Sequence, residues 1–164
     1  MKILDVADLL GLHWQIFADT PADPYMLRIH LTPDQRWWRT RLPGVALNYF
    51  FRGDRDREYH NHPWRWSVSL VLTNGYSEAR KDGRYAPVRE FIVRPGMLNF
   101  IWQDTFHRVT LDDPTRGCWT LFVMAPRALP DGAPSDWGFT TEDGATFEHQ
   151  TERAARVERE RGGL

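Results

Sequence analysis

Two histidines one residue apart, His60 and His62 in the stretch HNHPW, and a third, His107, 45 residues further on, are the side chains here whose type and spacing can do chemistry. Residues i and i+2 of a β-strand share a face, so the first two imidazoles project together and can take adjacent positions on one metal ion. Pro63 directly behind them removes a backbone donor and favours a local bulge or strand end. His107 follows a turn, a strand, a turn and a strand, a separation over which an antiparallel barrel brings a later strand back beside an earlier one. The other histidines are placed less well: His13 beside a first helix, His30 on an early strand, His149 near the tail. The bland alternative is two structural histidines on a strand, and it is the third imidazole that tips the reading toward a metal.

The elements that must position them are mostly strands. Apolar residues at 3, 6, 9 and 10, ending at Gly11, predict one short amphipathic helix over residues 3–12. After it the segments WQIFAD, YMLRIHLT, VALNYFFR, REYHNHPW, WSVSLVLTN, REFIVR, MLNFIWQ, HRVTL and CWTLFVM read as strands, separated by turn residues such as Pro43-Gly44, Asn74-Gly75, Lys81-Asp82-Gly83 and Pro95-Gly96. Many short strands with regular turn signals predict an antiparallel sandwich or barrel, with its core at about residues 25–125. Several strands are apolar on both parities. Their outer faces are therefore expected to lie under the helix, a second sheet or a partner subunit. From Ala125 the chain becomes rich in Pro, Gly and Asp and reads as an ordered loop pinned by Trp137 and Phe139. Residues 148–161 are charged and helix-compatible, with Glu152 and Arg156 as an i,i+4 pair, and read as a solvated or frayed terminal helix. One domain spanning 1–164 is expected, with 126–164 as a C-terminal loop and helix.

Composition removes several function classes. Lys plus Arg is 21 and Asp plus Glu is 22, giving a net charge of −1, which supplies no global attraction to nucleic acid or an anionic membrane. The eight Trp and nine Phe suit a sheet protein with a packed interior. Cys118 is the single cysteine, so no intrachain disulfide forms; together with an N-terminus lacking a signal-peptide pattern and the lack of a membrane-length apolar run, this leads us to expect a soluble cytoplasmic protein. Cys118 itself reads as a buried, inert thiol. No G-x-S-x-G, P-loop or dinucleotide fingerprint is present.

From Val45 to Ala125 the chain resembles the cupin superfamily. The first cupin motif is written G-x5-H-x-H-x(3,4)-E-x6-G. Here Asp54 stands at the first Gly with Gly53 beside it, His60 and His62 fit the two histidines, Trp66 and Ser67 occupy the glutamate position, and Gly75 closes the motif within one residue. The second motif is G-x5-P-x-G-x2-H-x3-N. Gly96 opens it, Trp102 and Asp104 replace Pro and the second Gly, His107 falls in register, and Leu111 replaces the final Asn. More loosely, the chain is similar to small uncharacterised cupins from bacteria and their phages.

The resemblance implies a jelly-roll barrel and a divalent transition metal held by His60, His62 and His107: iron first, with zinc, manganese or nickel as alternatives. Most cupin sites add a carboxylate, which Ser67 cannot supply, so the resemblance points to the three-histidine cupins such as the thiol dioxygenases. Three neutral imidazoles leave a dication's charge uncompensated and favour an anionic or chelating ligand. Glu58 shares parity with His60 and His62; it is a candidate fourth ligand, a partner orienting a histidine, or a general base, against the alternative of an edge residue paired with Arg55 or Arg57. Tyr49 is a second candidate for proton movement, or a wall residue. Arg52 and Arg65, with Arg28 and Arg108, are candidates for a forked contact to a substrate carboxylate or phosphate, each competing with a surface ion pair. Trp66 and Trp102, with Trp64, would exclude water or stack on a flat substrate, or simply pack the core; Ser67 would make the cavity polar.

The expectation is thus an all-β cupin-type antiparallel jelly-roll with a short N-terminal helix and a C-terminal helical tail, forming a homodimer. Its leading activity is a non-haem iron(II) dioxygenase acting on a small polar or anionic metabolite. A zinc- or manganese-dependent isomerase, lyase or hydrolase and a non-catalytic metal- or ligand-binding cupin are the alternatives.

Overall fold

The period-two alternation carries most of the architecture. The computed structural model describes residues 3–20, 23–32, 42–54, 58–125 and 137–162. Over them the chain forms α1 (Ile3–Leu9), β1 (Trp14–Thr20), β2 (Asp23–His30), β3 (Gly44–Phe50), β4 (Tyr59–His60), β5 (Trp66–Val71), β6 (Tyr76–Asp82), β7 (Arg89–Val93), β8 (Leu98–Trp102), β9 (Thr105–Leu111), β10 (Cys118–Met124), β11 (Gly138–Thr140), β12 (Phe147–His149) and α2 (Gln150–Gly162). The strands pair antiparallel into two six-stranded sheets of order β1-β2-β3-β10-β5-β8 and β12-β11-β4-β9-β6-β7. This is the expected all-β jelly-roll with a helix at each end.

The facing sides of the two sheets hold the interior. In β10, Cys118, Thr120, Phe122 and Met124 are buried while the residues between them are half-buried, and in β5 the same alternation buries Ser67, Ser69 and Val71. One end of the interior is apolar, with Val71, Tyr76, Val93, Val109, Leu111 and Cys118 packed together. Burying a side chain of the Val or Leu size contributes roughly 1.5–3 kcal/mol, so this cluster anchors the sheets to each other. Toward the other end the lining turns polar, and this is where the histidines lie.

The outer face of the first sheet explains the apolar residues on both parities. Ala7 of α1 packs on Leu27 and Ile29, with Leu4, Leu12, Leu47, Tyr49 and Trp119 around them. The helix stops at Gly11, whose φ is 64°; the Leu12 N–H reaches the Ala7 carbonyl at 2.8 Å and the Gly11 N–H that of Asp8 at 3.0 Å, a Schellman end. Further along the same face no described element covers Leu98, Phe100 and Trp102 of the edge strand β8, which are 56%, 53% and 61% exposed.

One part of the sequence reading needs correction and another an addition. β6 was expected as a connection between turns and is a full central strand, paired with β7 on one side and β9 on the other. Its residues YSEARKD lack the apolar alternation of the other strands: the buried Glu78 pairs with His107 and Arg80, and the buried Lys81 donates to the Thr141 and Glu142 carbonyls. The terminal helix is largely solvated, as expected, but it is tethered to the sheet by arginines. Arg153 Nη1 donates to Glu58 Oε2, and its guanidinium lies 3.9 Å from the centre of the Phe139 ring. Arg156 is held by Glu148 at 2.8 and 2.9 Å. Glu152 accepts the His149 N–H at 3.2 Å while His149 Nδ1 accepts the Thr151 N–H at 3.3 Å, a capping box with an imidazole as the cap. The expected loop after Ala125 contains β11 and β12 in its described part; residues 126–136 lie outside the described residues, as do Arg55 and Arg57.

Candidate metal centre

His60 and His107 converge because β4 and β9 are neighbours, and these two residues face each other in the register. The ring centroids of His60 and His107 are 4.6 Å apart, those of His62 and His107 4.9 Å, and those of His60 and His62 5.3 Å. One ring nitrogen from each of the three lies within 4.8 Å of the others. Asn61, between the first two, points elsewhere and fixes the segment: its Nδ2 donates to the Gln103 carbonyl at 3.1 Å and its Oδ1 accepts the Gly138 N–H at 2.8 Å.

The donor set fits a transition ion. His62 Nε2 and His107 Nε2 are 2.8 Å apart. Two imidazole nitrogens at right angles on one ion, each at ~2.0–2.1 Å, are separated by roughly 2.9 Å. Burial, and then the neighbouring His107, pull His60 down to about 4, and the same two causes hold His62 well below the ordinary histidine value. Both rings are therefore neutral at pH 7, with lone pairs available to a cation.

A buried carboxylate orients the third histidine. Glu78 of β6 is fully buried, and its Oε1 lies 2.8 Å from His107 Nδ1. A carboxylate only accepts, so His107 carries its proton on Nδ1 and turns Nε2 toward the other two rings. Arg80 donates to the same oxygen from Nε at 3.1 Å and Nη2 at 3.0 Å, and Asn99 Nδ2 donates to Oε2 at 2.5 Å. Burial pushes the Glu78 carboxyl up, but His107 and Arg80 outweigh it and bring it down to about 2. Arg80 also reaches the Phe100 carbonyl and Asn99 Oδ1 on β8, tying the two sheets together beside the site.

The predicted site residues divide. Ser67 lies inside the barrel, 1% exposed, with no hydrogen-bond partner for its Oγ among the described residues. Glu58, on the parity of His60, is engaged by Arg153 of α2, so the orienting carboxylate is Glu78 and not Glu58. Tyr49 falls on the outer face of β3, where its ring packs against Phe51 and Trp119, so it does not face the histidines. Trp66 and Trp102 oppose each other in the register on the outer parity of β5 and β8, and Trp102 is exposed. Trp64 is the tryptophan at the site, with its ring stacked 5.3 Å from His62. Arg52 is tied to Asp23 at 3.3 Å, and Arg65 is exposed between Trp64 and Trp66. Arg108 lies over the Tyr59 ring on the outer side. Glu78 was missed because its strand was missed. The available signal was the alternation Tyr76, Glu78, Arg80 between two turn signals.

A surface groove of about 660 Å³, lined by Tyr85, Val88, Glu142, Asp143 and neighbours, lies between the β6–β7 and β11–β12 connections, away from the histidines. Among the described residues no helix is long and apolar enough to cross a membrane.

No protein-family profile matches the chain, and no curated protein does. Solved structures do. Iron(II) HppE superposes with a TM-score of 0.53 at 13% identity, over 69% of this chain and 56% of that one. A mutant of Bacillus subtilis oxalate decarboxylase gives 0.53 at 12% identity, over 75% and 29%. An RmlC-like cupin from Ralstonia eutropha JMP134 gives 0.51 at 11% identity, over 94% and 85%. This chain thus spans about half of HppE and under a third of the decarboxylase. The fold is that of the cupins. Within it the chain carries a three-histidine cluster, in register with the cupin motifs.

Proposed function

We propose that this chain is a metal-dependent cupin enzyme in which His60, His62 and His107 hold one divalent transition ion, iron(II) before zinc, manganese or nickel, and that it acts as a dioxygenase on a small polar or anionic metabolite. The observation that carries the proposal is the convergence of three imidazoles of which one is fixed by a buried carboxylate, Glu78 Oε1 to His107 Nδ1 at 2.8 Å. A carboxylate behind a histidine sets its tautomer and strengthens it as a ligand. Iron(II) held there supplies the redox chemistry that dioxygen requires. The protein's part is to position and to exclude water. Trp64 and Phe122 wall one side of His62, at 5.3 and 6.2 Å between ring centroids. Phe139 lies 6.0 Å from His60, with the guanidinium of Arg153 of α2 over its ring at 3.9 Å. The surplus positive charge of three neutral ligands around a dication favours an anionic substrate.

A cytoplasmic setting suits the buried Cys118 thiol, which donates to the Thr73 carbonyl and is pushed up to about 11 by burial. A homodimer through the outer row Leu98, Phe100 and Trp102 suits an exposed apolar edge strand, and light scattering of a Phe100→Glu variant tests it.

The test of the activity is anaerobic loading with iron(II) followed by nitric oxide. A high-spin iron–nitrosyl signal in the wild type that is lost in His60→Ala supports the oxygenase reading. Zinc retained in preference to iron, with no nitrosyl signal, overturns it in favour of hydrolytic, lyase or isomerase chemistry.

A further inference from the structure

Arg28 is a half-buried cation on the inward face of β2, with no carboxylate paired with it among the described residues. On β2 it has the inward parity and faces Asn48 of β3 in the register, and Asn48 faces Thr120 of β10. Its Nε donates to Asn48 Oδ1 at 2.9 Å. Three aromatic rings frame the guanidinium, with Phe17 at 5.5 Å, Trp64 at 5.7 Å and Phe122 at 5.4 Å from its carbon. Among the described residues no acidic group pairs with it. Burial draws its pKa down to about 10, so it stays charged at neutral pH, met by one neutral amide and the faces of three rings but by no anion. A charge in that position is costly unless something pairs with it.

Two further observations point to a ligand. Thr120 Oγ1 and Trp64 Nε1 are buried and have no hydrogen-bond partner among the described residues; Thr120 is 0% and Trp64 9% exposed. Trp64 touches Arg28 by ring contact, and Thr120 lies on the same row one strand beyond Asn48. Buried donors of this kind are normally satisfied. The same two rings that flank Arg28, Trp64 and Phe122, also flank His62. The guanidinium and His62 thus share two ring neighbours.

We propose that Arg28 is the anion-binding end of the substrate site: its Nη atoms take a carboxylate of a small acid, Thr120 Oγ1 and Trp64 Nε1 donate to the same ligand, and the ligand's other polar end reaches His60, His62 and His107. The assignment rests on the metal-centre reading and narrows its substrate class to small acids with a second oxygen donor. Phe17, Trp64 and Phe122 hold the fork from its faces and leave its edge for bidentate contact.

The test is calorimetric titration of malonate and of succinate into metal-loaded and metal-free full-length protein, with metal content read on the same samples. Wild type should bind at least one of the two diacids. Arg28→Met should weaken that binding by about tenfold to a hundredfold, the range one charge-assisted contact carries, while Arg28→Lys retains part of it. Arg65→Met, which removes an exposed cation of the neighbouring loop, should titrate like wild type. No diacid binding by wild type, or binding within twofold of wild type in Arg28→Met, overturns the proposal. If the protein takes up no metal yet binds diacid in an Arg28-dependent way, the metal-centre reading fails and the anion site stands; if metal is bound and diacid binding ignores Arg28, the reverse holds.

Discussion

Replacing Glu78 by Gln tests the support of the site more sharply than replacing a histidine. The substitution keeps the shape and removes the charge. Glu78 is fully buried, and its Oε1 serves both His107 and Arg80. Its carboxyl is lowered from 4.5 to about 2, which corresponds to about 3 kcal/mol of preference for the charged form. Breaking a buried pair by removing one partner costs about 3–5 kcal/mol, because Arg80 is left without its counter-charge. The two figures agree at about 3 kcal/mol. With an unfolding entropy of about 2.1 cal/mol/K per residue, that lowers the melting temperature of a chain this long by roughly 9 °C. Metal affinity should fall roughly 10–100-fold at the same time, since a neutral amide orients and polarises His107 less strongly. Thermal unfolding of the metal-free protein and competition with a chelator measure the two effects separately. A melting shift under about 2 °C together with unchanged metal affinity would refute both the energetic reasoning and the orienting role.

Other outcomes follow from the same contacts. Glu58→Gln should leave metal content unchanged and lower the melting temperature by no more than about 4 °C, because it loosens only the partly exposed link between β4 and Arg153; loss of metal on titration would instead make Glu58 a ligand. Stability of the metal-free protein should fall as the pH drops from about 6.5 toward 4. Burial, then Arg28 and His13, hold His30 at about 4, so in that window the unfolded chain binds a proton the native chain does not, and stability rises with pH there. Denaturant titrations at pH 7, 5.5 and 4.5 measure this, and a flat profile contradicts the half-buried, neutral His30.

The histidine triad was legible because its spacing states two geometric facts at once. Alternation puts His60 beside His62, and the strand count returns His107 to the same wall. The outer placement of Tyr49, Trp66 and Trp102 follows from the same alternation applied strand by strand; those three were misplaced because nearness in sequence to the histidines was allowed to stand for facing them. Glu78 was hidden for a different reason. A strand whose inward residues are Glu78 and Arg80 looks like a solvated turn until their mutual pairing with His107 and Asn99 is known, and that pairing is long-range. The tethering of α2 was equally out of reach, since Arg153 finds Glu58 95 residues away. Arg28 was named among four arginines with nothing to separate it from the rest. Only the register that sets it on the row with Asn48 and Thr120 singles it out.

The most direct measurement of the central claim is metal stoichiometry by elemental analysis of the reconstituted protein and of His60→Ala, His62→Ala and His107→Ala, each checked for unchanged circular dichroism. The account predicts one equivalent of a divalent transition metal in the wild type and at least a tenfold loss of affinity in each variant. Wild-type protein that takes up no metal, or full occupancy retained in any one of the three variants, would contradict it.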